Sequence, residues 1–187
     1  ARRALRHKNL KFVPVGVKRT ITAAGLRAIA QRASAILMKR DCRGDVPCQF
    51  RLSPHPDFRL YPQHTGQIST KADINQLLSS NRADVSIVES ISPDACPADG
   101  EGTVWGCATA TWILVVADRV KMPWILAHEY GHLSGLNHRD EKCALMHSYY
   151  DEANLALDQW ECDQIHYPND NPPRPSAPQN APGRPGR

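Results

Sequence analysis

The sequence predicts an α/β or α+β fold, a mixed sheet with helices packed against it. Three observations point there. Early in the chain a strand pattern is followed by a helix pattern and then another strand; more strands and helices come after; and the apolar run over 112–117 has the length of a buried strand. With 187 residues, 41% of them hydrophobic, the chain can build a core of its own and does not read as disordered.

Residues 11–19, KFVPVGVKR, read as a strand because Phe12, Val13, Val15 and Val17 are β-formers, and Pro14 suggests an edge or a bulge. Thr22 is placed to cap a helix over 23–40. Its Leu26, Ile29, Ala30, Ala33, Ile36 and Leu37 recur every three or four residues and make one buried stripe. A short strand is expected near 49–52, then irregular chain around Pro54, Pro56 and Pro62. A helix over 70–80 carries Ile74, Leu77 and Leu78, and a strand follows over 84–90. Strands over 103–108 and 112–117 come next. Pro123 suits the first turn of a helix that buries Ile125, Leu126 and Tyr130. Asp158-x-x-Glu161 has the form of a capping box and opens a last short helix through Ile165.

The net charge of +4 is carried by the ends of the chain. Residues 1–11 hold five bases and no acid, and residues 168–187 hold three bases and one acid. That leaves 15 bases against 18 acids between them. A mildly acidic folded part argues against a nucleic-acid partner, which wants a basic face on the scaffold. Seven of the last twenty residues are proline, too many for a packed structure. The organisation expected is a basic extension over 1–11, one domain over 12–167 and a flexible tail over 168–187. No apolar run approaches the ~18 residues of a membrane span, and nothing in the sequence predicts an oligomer.

Cys42, Cys48, Cys96, Cys107, Cys143 and Cys162 are even in number and lack CxxC spacing. Three disulfides and an oxidising compartment follow, so the protein is expected to be secreted or periplasmic, with its leader absent from this chain. Sequential pairs, 42–48, 96–107 and 143–162, are expected because each closes a local excursion.

Residues 128–138 read HEYGHLSGLNH. His128 and His132 lie one helical turn apart on one face and can share a metal ion. Glu129 sits beside the metal without having to bind it, able to take a proton from a zinc-bound water and return it to a leaving amine. Gly135 can end the helix in a left-handed turn and swing His138 back as a third nitrogen ligand. Three protein ligands leave one position of a tetrahedral zinc ion open, the catalytic pattern.

This segment resembles the metzincin signature, H-E-x-x-H-x-x-G-x-x-H followed by a methionine turn. Met146, the one methionine downstream, is similar to the Met-turn residue, and the resemblance implies an apolar floor under the histidines rather than a ligand. It further implies a zincin-like metalloprotease domain: a twisted sheet with an edge strand for substrate, an active-site helix and a C-terminal helix. Residues 103–110, TVWGCATA, are similar to that edge, where Trp105, Gly106 and Ala108 would meet an extended peptide by β-augmentation. Cys143 and Cys162 would then be well placed to staple the C-terminal helix. Arg139 after the third histidine leaves astacin-like, matrixin-like and reprolysin-like groups all open. Ser148 stands where some groups carry a tyrosine, with Tyr149 and Tyr150 just beyond, and Tyr149 is a candidate for the substrate pocket. The function expected is a monomeric zinc endopeptidase using one catalytic ion. The alternative is a zinc-binding effector with a single protein target or a non-peptide amide substrate.

Overall fold

The computed structural model describes residues 5–18, 20–38, 48–56, 65–80, 82–96, 103–109, 111–151 and 155–168. The expected tail lies outside these apart from its first residue, as does Cys42.

The sheet that positions the site has four strands. β2 (Phe12–Pro14), β5 (Val85–Val88) and β8 (Ile113–Val116) run parallel, and β7 (Gly106–Ala108) closes the edge antiparallel to β8. In β8 successive side chains alternate faces. Ile113 and Val115 enter one core with Leu10, Leu26, Leu37, Ile125 and Leu126; Leu114 and Val116 enter a second with Val15, Ile68, Ile74 and Leu77. A strand covered on both faces reads as a continuous apolar run, and so 112–117 was legible.

β1 (Arg6–Leu10) lies within the segment expected to be a basic extension. It pairs in parallel with β3 (Phe50–Pro54) and is separated from β2 by Lys11 alone. The predicted strand over 11–19 is shorter than expected, because Gly16 turns at φ 57°. A small parallel pair, β4 (Gln67–Ile68) with β6 (Ser90–Ile91), completes the strands among the described residues.

Among the described residues, four helices pack on this frame. α1 (Ala23–Leu37) starts where Thr22 was expected to cap it, its side chain accepting from the Gly25 N–H at 3.0 Å. α2 (Lys71–Ser80) buries Ile74 and Leu77. α3 (Met122–Leu133) has proline in its first turn and is buried almost throughout, and α4 (Gln159–His166) opens with both halves of a capping box. Among the described residues, no helix is long and apolar enough to cross a membrane.

The disulfides correct the sequential scheme. Cys48 pairs with Cys162, with Cα atoms 5.4 Å apart across 114 residues, which rules out both 42–48 and 143–162. The fold brings the chain entering β3 against α4, a contact that no local spacing can announce. Cys96 is bonded to Cys107 and ties β7 to the chain after β6, and Cys143 is also disulfide-bonded.

Candidate metal centre

Two devices put three imidazoles together. On α3, His128 and His132 are one turn apart. The helix then ends in a Schellman turn: Leu136 N–H reaches Gly131 O at 3.0 Å and Gly135 N–H reaches His132 O at 2.9 Å, with Gly135 at φ +86°. A Cβ is strained at that angle, so glycine is the residue for it. The reversal brings His138 back to the helix.

The Nε2 atoms of His128, His132 and His138 form a triangle with sides of 3.1, 3.1 and 3.3 Å. Two nitrogens on a tetrahedral zinc ion, each bonded at 2.0–2.1 Å, stand about 3.3 Å apart. The outer nitrogens fix the tautomers: His128 Nδ1 donates to Leu145 O at 2.7 Å and His132 Nδ1 to Leu136 O at 2.8 Å. A carbonyl can only accept, so both protons sit on Nδ1 and both Nε2 atoms point lone pairs into the triangle. Converging lone pairs repel unless a cation lies between them. The donor set therefore fits zinc. Burial first, and His132 second, lower the His128 pKa to about 3, so this imidazole is neutral and ready to ligate at physiological pH.

Glu129, next on the helix, is buried, and that burial raises its carboxyl pKa to about 8. It lies against β7. A Cβ on Gly106 would fall 2.7 Å from Glu129 Cγ and 2.6 Å from Ile125 Cγ2. The missing side chain of Gly106, a residue expected to touch substrate, lets the edge strand lie on α3. Met146 is fully buried, and a side chain at Gly131 would collide with its Sδ. The methionine packs onto α3 at Gly131, which lies between His128 and His132 in the sequence.

Some of the surroundings were not anticipated. Trp124 stacks on His128 with ring centroids 4.8 Å apart, and Tyr150 meets Trp124 edge-on at 5.0 Å. Tyr150 is linked to His128 through Trp124, and the more exposed Tyr149 stands beside His147. Lys121 Nζ sits 3.6 Å over the Trp105 ring, linking the start of α3 to the chain entering β7. The sequence signal for Trp124 was its place one turn before His128. Ala108 is half-buried on β7.

Cys48, Cys162 and His166 also cluster, but their sulfurs are bonded to each other, which removes them as a donor set. A separate cavity of about 310 Å³ lies between α1 and the start of α3, lined in part by Ile21, Ile29, Arg32, Arg119 and Met122. None of the residues expected at the site lines it.

The fold resembles solved metallopeptidases. Archaemetzincin from Methanopyrus kandleri superposes with a TM-score of 0.54 at 15% identity, over 87% of this chain and 95% of that one. A zinc-dependent peptidase from Methanocorpusculum labreanum gives 0.51 at 15%, over 83% and 98%. Metalloproteinase-II from Bacteroides fragilis gives 0.51 at 13%, over 89% of this chain and 54% of that one, so the chain spans about half of that protein's length. At such identities the likeness is one of fold. A search of curated proteins finds no match. A sequence model of the matrixin family matches residues 59–167, more than half the chain and the whole stretch from α2 to α4. That match decides among the groups the signature left open: the chain belongs to the matrixin family, zinc-dependent metallopeptidases.

Proposed function

We propose that His128, His132 and His138 hold one catalytic zinc ion and that Glu129 is the general base and acid of peptide-bond hydrolysis in an extended protein substrate. The observation that carries this is the triangle of Nε2 atoms, two of them with their lone pairs turned inward by carbonyl partners. When bound, the ion supplies positive charge that polarises the scissile carbonyl and makes water acidic enough to lose a proton near neutrality. Glu129 takes that proton and passes it to the departing amine. Its burial disfavours the carboxylate when no cation is near, and a cation one residue away favours it again.

Two features support a strand-like substrate. β7 is the terminal strand of the four-stranded sheet, and its backbone rests on the helix that carries Glu129. An extended peptide added to that edge would gain main-chain hydrogen bonds whatever its side chains. The disulfides support an oxidising location, secreted or periplasmic, and the metzincin signature supports that wider grouping.

The test is digestion of a peptide library, read by mass spectrometry, with zinc-loaded wild type and Glu129→Ala. Cleavage by wild type, lost with a chelator and lost in Glu129→Ala, is the expected result. Zinc binding without cleavage by either protein would sink the general endopeptidase reading. It would turn attention to a single protein target or a non-peptide amide.

A further inference from the structure

We propose that Arg139 is the positioning residue of the metal centre: its guanidinium fixes the His138 segment and the Met146 turn in the geometry that three imidazoles need to hold one ion. The inference rests on the reading that these histidines bind zinc, and it goes beyond the signature, in which Arg139 has no part.

The side chain of Arg139 is only 7% exposed and stands among three carboxylates. Nη1 is 2.9 Å from Glu141 Oε2 and 3.0 Å from Asp158 Oδ2, and Nε is 3.3 Å from Glu161 Oε1, itself 1% exposed. Nη2 donates to Ala156 O at 3.4 Å. The second oxygens of Asp158 and Glu161 are employed as well. Asp158 Oδ1 accepts from Glu161 N–H at 2.8 Å, and Glu161 Oε2 accepts from Asp158 N–H at 2.9 Å; together they form the cap of α4. Asp158 and Glu161 thus each use one oxygen to start the helix and turn the other to the arginine.

The backbone completes the connection. Arg139 N–H donates to Met146 O at 2.9 Å, next to the carbonyl of Leu145 that holds His128 Nδ1. Ala156 O, which accepts from Arg139, also accepts from Leu145 N–H at 2.7 Å. His138 therefore sits one residue from a hub that grips the Met146 turn, the His128 acceptor and the start of α4. Between α3 and α4 the described chain has no helix or strand to do this job. A planar fork can reach several acceptors in fixed directions at once, whereas an ammonium on a flexible stem cannot.

The deciding variant is Arg139→Lys, which keeps the charge and loses the fork. Thr22→Ala, removing the α1 cap, serves as a control for loss of stability far from the site. The readouts are the zinc dissociation constant by chelator competition, the visible absorption of the cobalt-loaded protein, and kcat and KM on a cleaved peptide. Arg139→Lys is expected to weaken zinc binding about ten-fold or more. It should also shift the cobalt spectrum and lower kcat by a similar factor with little change in KM. Thr22→Ala should melt earlier yet keep the affinity and the spectrum. If Arg139→Lys does not fold, Glu161→Gln decides by the same readouts, since glutamine still completes a capping box while removing the carboxylate charge that faces Arg139 Nε. Wild-type affinity and spectrum in the deciding variant, or the same shifts in Thr22→Ala, overturn the proposal. Zinc binding by a wild type that cuts nothing defeats the endopeptidase reading alone, because affinity and spectrum still test Arg139. A wild type that binds no zinc defeats both.

Discussion

At the scale of single residues, the site places a carboxyl and an imidazole where burial moves them in opposite directions. Glu129 titrates near 8 in the folded, metal-free protein, against an ordinary value of 4.5. Between those values the folded state keeps a proton that the unfolded chain has released, so stability falls as pH rises through that window. His128 is lowered from 6.5 to about 3, so the folded state sheds a proton the unfolded chain still holds, and stability falls as pH drops below 6.5. Replacing Glu129 with glutamine removes only the first effect. In metal-free protein, Glu129→Gln should melt close to wild type at pH 5 and increasingly above it as the pH is raised to 8. Melting curves across that range check this, and a gap that does not change with pH would contradict it.

At the scale of elements, the contact between β7 and α3 depends on the missing side chain of Gly106. Alanine there would drive its Cβ into Ile125 and Glu129, so the strand must lift or the helix must shift. Overpacking of this kind costs about 1–3 kcal/mol. Gly106→Ala should therefore lower the melting temperature of the zinc-loaded enzyme and reduce kcat, because it displaces Glu129 itself; unchanged values of both would mean the strand has room to spare. Local codes made much of this architecture legible: the Thr22 and Asp158 caps, Pro123 in the first turn of α3, the HExxH spacing and the Gly135 reversal each lie within a few residues of what they determine. The unexpected features depend on chain neighbours far apart in sequence. Cys48 meets Cys162, Gly131 makes room for Met146, and Arg139 reaches Asp158 and Glu161. β1 was hidden for another reason: its residues are mostly exposed and polar, and their strand state comes from pairing with β3.

At the scale of the molecule, the zinc ion proposed at the three histidines would join two parts that are built differently. The sheet, α1 and α3 are fixed by cores on both faces of the strands. The described chain from the end of α3 to the cap of α4 carries no helix or strand; it sends Leu136, Leu145, Met146 and Leu157 into the first of those cores and is otherwise tied by the Ala144–Ala156 bridge, the disulfide of Cys143 and the Arg139 contacts. A ligand that binds only the native state stabilises it by about 4 kcal/mol at a thousand times its dissociation constant. For a domain of this size that corresponds to a melting shift of roughly 10 °C. Chelation should therefore lower the melting temperature by about that much, and its local effect should be uneven. With the ion gone, His138 no longer anchors its segment to α3, while the β8 ladder keeps every partner it had. Hydrogen exchange should then quicken at the amides of Arg139, Ala144, Leu145 and His147, whose acceptors lie within this stretch or in Ala156. The amides of β8 should change far less. Equal acceleration in both places would show that the metal stabilises the domain as one cooperative unit and that the His138 segment has no separate opening of its own.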